Sequence, residues 1–195
     1  WYMDDDHKES SKNIECLKGS LNLVNGAIKA GVKRFIGIGT CFEYDLSKRI
    51  LSVDTPLKPS TNYGAAKAAL YILLSKWLHE QSIEFSWCRL FALYGEGESE
   101  KRLTAYIHKQ IKKNKVAELT AGNQIRDFMD VADAGRIIAD ISIGNKIGPI
   151  NVCTGIPMTV RKFAEKIAKK YNRLDLLNFG IRPDNPVDPE CILGK

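Results

Sequence analysis

The sequence predicts an α/β protein built on a mainly parallel sheet. Three observations predict it. Amphipathic stretches of helical period alternate with short, β-branched apolar runs. No internal repeat or low-complexity linker interrupts that alternation. The chain has 195 residues, of which 44% are hydrophobic, enough for one good-sized core.

Each element follows from local pattern. Ile14, Leu17, Leu21, Val24 and Ile28 recur at three and four residues and predict a helix over about 9–29. Gly31 stands just past its end, where glycine commonly stops a helix. "VKRFIGIG" at 32–39 is short and apolar and predicts a buried strand. A long polar loop with Pro56 and Pro59 leads to a helix that begins near Tyr63, with Ala66, Leu70, Leu73, Leu74 and Trp77 as its core stripe. "EFSWCRLFAL" at 84–93 is the next expected strand, broken by "YGEGE". Helices are expected over about 102–114 and 131–142, the second N-capped by Asp130. "GPINVCTG" at 148–155 reads as a strand, and Val160, Phe163, Ala164, Ile167, Ala168 and Tyr171 mark a helix over about 160–171. Both ends read as irregular, and "PECILGK" offers no closing element.

Composition narrows the function classes. Lys plus Arg number 29 against 23 Asp plus Glu, a modest and scattered surplus of +6. The densest basic stretch, "HKQIKKNK" at 108–115, shares its helix with Leu103, Ile107 and Ile111. It reads as a solvated helix face, because no aromatic residues interleave with the lysines as nucleic-acid binding would ask. A small anionic ligand suits the charge balance equally well. The five cysteines (Cys16, Cys41, Cys88, Cys153, Cys191) are far apart, and the three histidines (His7, His79, His108) lack metal-ligand spacing. The expectation is a reduced, cytoplasmic protein with neither disulfide frame nor metal. The opening "WYMDDDHKE" is no signal peptide, and no apolar run approaches the roughly 20 residues of a membrane helix.

The chemistry-bearing stretch is "TNYGAAKAAL" at 61–70. Tyr63 and Lys67 stand four residues apart at a helix start and therefore share a face. A free phenol has a pKa of about 10, and a fixed positive charge beside it favours the phenolate. The strand before it delivers Thr40 to the carboxyl edge of the sheet, where α/β proteins place ligands. A threonine hydroxyl, a phenol and an ammonium are general acid–base equipment for interconverting a carbonyl and an alcohol. No side chain carries a hydride, so a nicotinamide cofactor would have to supply it. On its own, Tyr-x-x-x-Lys also fits a boundary tyrosine beside a solvated lysine.

The surroundings are more specific. "RFIGIGTCFEYD", "TPLKPSTNYGAAKAA", "CRLFALYGEGE", "GNQIRDFMDVADA" and "INVCTG" occur in this order. As an ordered set they resemble the extended short-chain dehydrogenase/reductase family of sugar-nucleotide epimerases, dehydratases and reductases, from the first helix to about residue 182. The resemblance implies a Rossmann-type doubly wound parallel sheet, here partial, with a small C-terminal substrate-binding α/β region. It divides the chain into 1–95, the remaining NAD(P)-binding part, and 96–195, mainly nucleotide-sugar binding, with 126–155 returning to the first. It implies Thr40, Tyr63 and Lys67 as catalytic residues and NAD or NADP as cofactor. Tyr63, Lys67, Leu90 and Phe91 would lie against that cofactor. Arg126, in "IRDF", would grip the diphosphate of a nucleotide sugar, a task that suits a bidentate guanidinium. A salt bridge to Asp127 or Asp130 is the simpler reading of the same arginine. A homodimer through the helices at about 9–29 and 63–80 is also implied. Leu23, Ala27, Tyr71, Ile72 and Leu78 are the residues outside the core stripes there.

Several positions depart from the family pattern. The Gly-x-x-Gly-x-x-Gly fingerprint is absent; Gly37 and Gly39 stand in "GIGTCF" with no third glycine and no helix opening after them. The expectation is a chain resembling the family without its first few strands and its last few dozen residues. A non-catalytic member that no longer binds cofactor is the alternative. Cys16 replaces a frequent asparagine. Cys41 and Phe42 occupy the positions of the Asp–Glu pair that dehydratases carry, with Glu43 one residue too late. That favours a 4-ketoreductase or an epimerase.

Overall fold

The computed structural model describes residues 1–2 and 6–195. Helix α1 (Lys12–Lys29) leads into strand β1 (Arg34–Thr40), two short 3₁₀ turns (Cys41–Glu43, Leu46–Lys48) and strand β2 (Ile50–Leu51). Helix α2 (Asn62–Glu80) is followed by β3 (Glu84–Leu90) and β4 (Ala92–Tyr94). Then come α3 (Leu103–Lys112), β5 (Ala117–Leu119), β6 (Ile125–Asp130), α4 (Val131–Ile143), β7 (Gly148–Val152), β8 (Pro157–Thr159) and α5 (Val160–Lys169). A 3₁₀ turn (Leu174–Leu176), β9 (Leu177–Phe179) and β10 (Cys191–Gly194) complete the chain.

Strands β1, β3 and β7 form a parallel sheet in that spatial order, with Thr40 opposite Leu90 and Leu90 opposite Val152. Period-2 alternation on β3 decides what covers each face. Phe85 and Trp87 point to one side, where Val24 of α1 and Leu70, Leu74 and Leu78 of α2 pack on them. Cys88 points to the other, against Ala134 and Ile141 of α4, with Met129 and Val152. Helices on both faces of a parallel sheet are the doubly wound arrangement that the resemblance implied. Asp130 caps α4 as expected, its carboxylate accepting from Ala132 N at 2.8 Å.

A second sheet runs β2-β10-β6-β4, with β8 antiparallel on β6. A third, of β5 and β9, packs with α3 and α5 around Ile107, Ile111, Phe163 and Ile167.

The structure corrects the sequence reading at four places. The expected strand 84–93 divides at Phe91 into β3 and β4, which join different sheets. "PECILGK" does hold a closing element: β10 lies between β2 and β6, so neighbours supply the pairing that its short pattern does not announce. In α2 Leu73 is exposed, whereas Leu78 is buried. The apolar side chains left exposed on α1 and α2 are Ile14, Leu23, Ile72 and Leu73, while Tyr71 packs on Phe85 and Trp87. No described helix is long and apolar enough to cross a membrane.

Candidate active site

The site is assembled where β1 ends and α2 begins. Thr40 is the last residue of β1 and the N-cap of the turn 41–43. Its hydroxyl accepts from Phe42 N at 3.3 Å, while its own N–H donates to Glu43 Oε1 at 2.8 Å, a reciprocal capping box. Helix α2 starts with its own cap, Thr61 Oγ1 accepting from Gly64 N at 3.1 Å. The N–H of Tyr63 donates to Lys8 O at 2.9 Å and Asn62 Nδ2 donates to Glu9 O at 2.6 Å, which ties the helix start to the segment before α1. Gly64 allows the close approach: a Cβ there would stand 2.3 Å from Phe42 O. The helix start and the turn carrying Thr40 are thereby pressed together.

The Thr40 hydroxyl lies close enough to Tyr63 to favour the ionised form of its phenol. Lys67 is buried, and its Nζ donates to Ile38 O at 2.7 Å, so the ammonium reaches β1 two residues before Thr40. The Trp1 ring links the two α2 side chains. It lies edge-on to Tyr63 at 6.0 Å and 4.0 Å from the Lys67 ammonium. The His7 ring stands edge-on to Tyr63 at 5.6 Å. Phenol, hydroxyl and ammonium therefore converge at the carboxyl edge of the first sheet.

Electrostatics differ from the sequence expectation. Burial pushes the Tyr63 phenol up to about 12, against the opposing Thr40 hydroxyl and helped by the nearby Cys41 and Glu43. Burial lowers Lys67 to about 8, opposed by the charge of Glu43 and by Cys16. Desolvation is the largest cause at both groups, and the charges felt at the phenol are those of Cys41 and Glu43 and not the ammonium that the spacing alone suggests. Cys16, at the position where the family often has asparagine, accepts from Tyr2 N at 3.2 Å and lies close enough to be felt by Lys67.

The other predicted residues sort differently. Leu90 stands beside Thr40 in the strand register. Phe91 turns into a buried cluster with Cys41, Tyr44, Leu51 and Ile192. Arg126 is partly buried on β6 and paired with Asp188 at 2.7 Å, not with Asp127 or Asp130. Its positive charge is nevertheless felt at Cys41, beside Thr40, where burial raises the thiol to about 12. Asp127 has another task. It is fully buried, and its carboxylate accepts from Thr154 N and Oγ1, both at 2.7 Å, Gly155 N at 2.9 Å and Gly194 N at 3.2 Å. It knots β6, the turn after β7 and β10 together.

Sequence reasoning missed what occupies the two glycines of "GIGTCF". A Cβ on Gly37 would stand 2.3 Å from the Trp87 ring, and one on Gly39 would stand 2.2 Å from Trp87 Nε1 and 2.4 Å from Glu43 Oε1. The glycines, at i and i+2 on one strand face, make room for an indole and a carboxylate. They cradle no phosphate. The signal available in the sequence was their spacing, which matches a strand face and not a helix-opening loop. Among the described residues, no group of three or more His, Cys, Asp and Glu side chains is placed to hold a metal.

With this geometry in view, comparison decides the family. The sequence model of the NAD dependent epimerase/dehydratase family matches residues 5–142. The chain belongs to that family. Among curated relatives, it is 21% identical to dTDP-6-deoxy-L-talose 4-dehydrogenase (NAD(+)) of Aggregatibacter actinomycetemcomitans, over 100% of this chain and 72% of that protein. It is 27% identical to UDP-glucuronate 4-epimerase of Thermodesulfobacterium geofontis, over 80% of this chain and 51% of that one. Among solved structures, UDP-N-acetylglucosamine 4-epimerase of Methanobrevibacter ruminantium, in complex with UDP-N-acetylmuramic acid, superposes with a TM-score of 0.84. That match has 20% identity and covers 91% of this chain and 59% of the epimerase. The Thermus thermophilus UDP-glucose 4-epimerase complex with NAD gives a TM-score of 0.78 at 21% identity, covering 91% and 60%. These likenesses bear out the α/β fold with its parallel sheet. The chain spans about half to three quarters of the length of these relatives.

Proposed function

We propose that this chain carries the acid–base centre of an NAD(P)-dependent oxidoreductase or epimerase acting at C4 of a nucleotide sugar. The observation that carries the reading is the convergence of Thr40, Tyr63 and Lys67 where β1 ends and α2 begins. With its phenol raised to about 12, Tyr63 holds its proton at neutral pH and is poised to donate it to a substrate oxygen. The Thr40 hydroxyl fixes that oxygen against the phenol, and Lys67 supplies positive charge beside the phenolate left behind. The proton passes from Tyr63 Oη to the carbonyl oxygen as C=O becomes CH–OH, and the reverse path regenerates the ketone. Bound NAD or NADP would supply and take back the hydride, against Tyr63, Lys67 and Leu90. In this reading the described residues meet only the nicotinamide end and offer no glycine cradle for the pyrophosphate, because Gly37 and Gly39 are filled by Trp87 and Glu43.

Dehydration needs a further acid and base after the threonine. Cys41 and Phe42 provide neither, and Glu43 is committed to Arg89, Trp87 and Thr40. That favours ketoreduction or epimerisation. Arg126, partly buried on β6 and felt at Cys41, is placed to meet a diphosphate if Asp188 releases it. We assign residues 1–95 and 126–155 to the cofactor-binding part and the rest of 96–195 to the substrate part of a cytoplasmic enzyme. The exposed Ile14, Leu23, Ile72 and Leu73 on α1 and α2 fit a homodimer interface. Sedimentation showing only monomers would count against that interface.

The test is turnover of CDP-, dTDP-, UDP- and GDP-sugars with NAD or NADP by the protein as its gene encodes it. Tyr63→Phe is expected to lose on the order of 10²-fold in kcat. Near-normal turnover would remove Tyr63 from the chemistry. Calorimetric titration of residues 1–195 with NAD is expected to show weak binding, and micromolar affinity would reveal a phosphate site that the glycines do not make.

A further inference from the structure

The buried Glu43 is the group that the acid–base reading leaves without a task. Its carboxylate has no exposed surface and lies behind Thr40, on the strand that Lys67 reaches. Oε1 accepts from Thr40 N at 2.8 Å and from Trp87 Nε1 at 3.0 Å, and Oε2 accepts from Arg89 Nε at 2.7 Å. Arg89, also fully buried, donates through Nη1 to Tyr44 Oη at 3.0 Å, and that hydroxyl in turn donates to Asn151 Oδ1 at 2.7 Å. Gly39 is required for this packing, since a Cβ there would collide with both Glu43 and Trp87. A short surface glutamate at the end of a capping box needs none of this. Burying a carboxylate is costly even when it is paired, so a chain that does so gains more than a helix cap from it.

We propose that Glu43 is a positioning residue of the candidate site: its carboxylate fixes the backbone that presents Thr40 and supplies the negative charge that faces Lys67. The inference rests on the reading of Thr40, Tyr63 and Lys67 given above. Two features of geometry support it. Thr40 N and Ile38 O lie on the same strand end, one bound by Glu43 and the other by Lys67 Nζ, so the two opposite charges meet the same short stretch of backbone. Trp87 fills the space between, its indole N–H on Glu43 and its ring 6.0 Å from the Lys67 ammonium. Arg89 and Trp87 from β3 touch the carboxylate, and its charge is felt at Lys67 and Tyr63 of α2 and at Cys41 and Tyr44 of its own turn. Arg89 is the direct ion-pair partner. Tyr63, Cys41 and Tyr44 are held protonated by burial and by Glu43. Lys67 is the cation whose protonation burial opposes and Glu43 restores.

The experiment follows Lys67 by NMR of its ε-carbon, in residues 1–195 labelled at lysine, with Lys67→Met identifying the resonance. In Glu43→Gln the amide keeps the shape and an acceptor for Thr40 N, while the charge is lost and an NH₂ group turns toward the Arg89 Nε donor. The Lys67 midpoint is expected to fall below about 8. The Thr40 amide proton is expected to move upfield, while the amides of Thr154, Gly155 and Gly194, bound to Asp127, stay in place. If the single variant fails to fold, Glu43→Gln with Arg89→Met removes both buried charges and is read in the same way. An unchanged or raised Lys67 midpoint in a folded variant overturns the proposal. In the active enzyme Glu43→Gln is expected to lower kcat with little change in KM, and to shift the pH profile of kcat with the Lys67 midpoint. A fall in stability with the profile unmoved would leave Glu43 a structural residue only. Full activity of Tyr63→Phe would overturn the reading of the site without touching the Lys67 titration, so the two failures are told apart.

Discussion

Glu43 and Asp127 are the fully buried carboxylates among the described residues, and the regions around them hold a negative charge by different means. At the end of β1, Glu43 is matched by a cation, with Arg89 Nε at 2.7 Å and the indole N–H of Trp87 beside it. At the start of β6, Asp127 has no cation on it. It is held by two backbone N–H groups of the turn after β7, the Thr154 hydroxyl and the N–H of Gly194. The first solution places charges close to side chains that titrate, and Glu43 is felt at Cys41, Tyr44, Tyr63, Lys67 and Arg89. The second places a charge among fixed dipoles and is felt at Cys153. An ion pair beside reactive groups tunes them; a carboxylate wrapped in N–H groups joins strands. The contrast separates a candidate site from a structural knot within one sheet system.

The largest expected effect tests the ionic half. Removing one partner of a buried pair leaves the other charge uncompensated, which costs about 3–5 kcal/mol. Glu43→Ala should therefore lower the unfolding free energy read from urea denaturation by that amount, because Arg89 Nε and the N–H groups of Thr40 and Trp87 all lose their acceptor. Arg89→Met in the same background should restore much of the loss, since the pair is then absent and not broken. If the second substitution restores nothing, Glu43 is held by its hydrogen bonds more than by its charge, and the contrast with Asp127 weakens.

A smaller loss is expected from the knot. Asp127→Asn keeps one acceptor oxygen but turns an NH₂ toward N–H donors, leaving buried donors unmet at about 2–3 kcal/mol. The effect should be confined to the junction of β6, the turn after β7 and β10. Hydrogen exchange of Thr154, Gly155 and Gly194 should accelerate while that of Thr40 stays unchanged. Loss of protection at Thr40 would show that the two regions are one cooperative unit.

How far these regions were legible in the sequence follows from the range of the signals. The helices and the strands β1, β3 and β7 were readable because each repeats its pattern over several residues. That Thr40 would end a strand and that Tyr63 and Lys67 would share the start of a helix were readable because both are local facts. Phe91 was misplaced for a local reason too, since a single apolar residue at an element boundary says nothing about which face it will meet, and Leu73 because the consecutive Ile72, Leu73 and Leu74 of α2 leave the edge of the core stripe open. The partners of Glu43, Asp127 and Arg126 were out of reach. Glu43 meets Arg89 46 residues away, and Arg126 meets Asp188 62 residues away. Such pairings depend on which strands become neighbours, and β10, four residues long, gives no period to reveal that it lies beside β6.

The smallest expected effect separates the regions by the sign of their pH dependence. Lys67 is lowered by burial to about 8, whereas an unfolded lysine titrates near 10.4. Between those values the unfolded chain binds more protons than the folded one, so this residue's contribution to stability rises with pH. Cys41, raised to about 12, and Cys88 and Cys153, each raised to about 11, act in the opposite sense. Their unfolded thiols ionise near pH 9 while the folded ones stay protonated, so stability falls as pH climbs above that point. Tyr63, raised to about 12, adds to the fall above pH 10. The Lys67 term is isolated by comparing wild type with Lys67→Met across that interval, since the cysteines are common to both. The difference should shift in favour of the wild type by about 1 kcal/mol from pH 8 to pH 9, read from urea midpoints at each pH. A difference that stays constant would mean that the Lys67 ammonium keeps its ordinary affinity for the proton, and that the charge at Glu43 already offsets its burial in full.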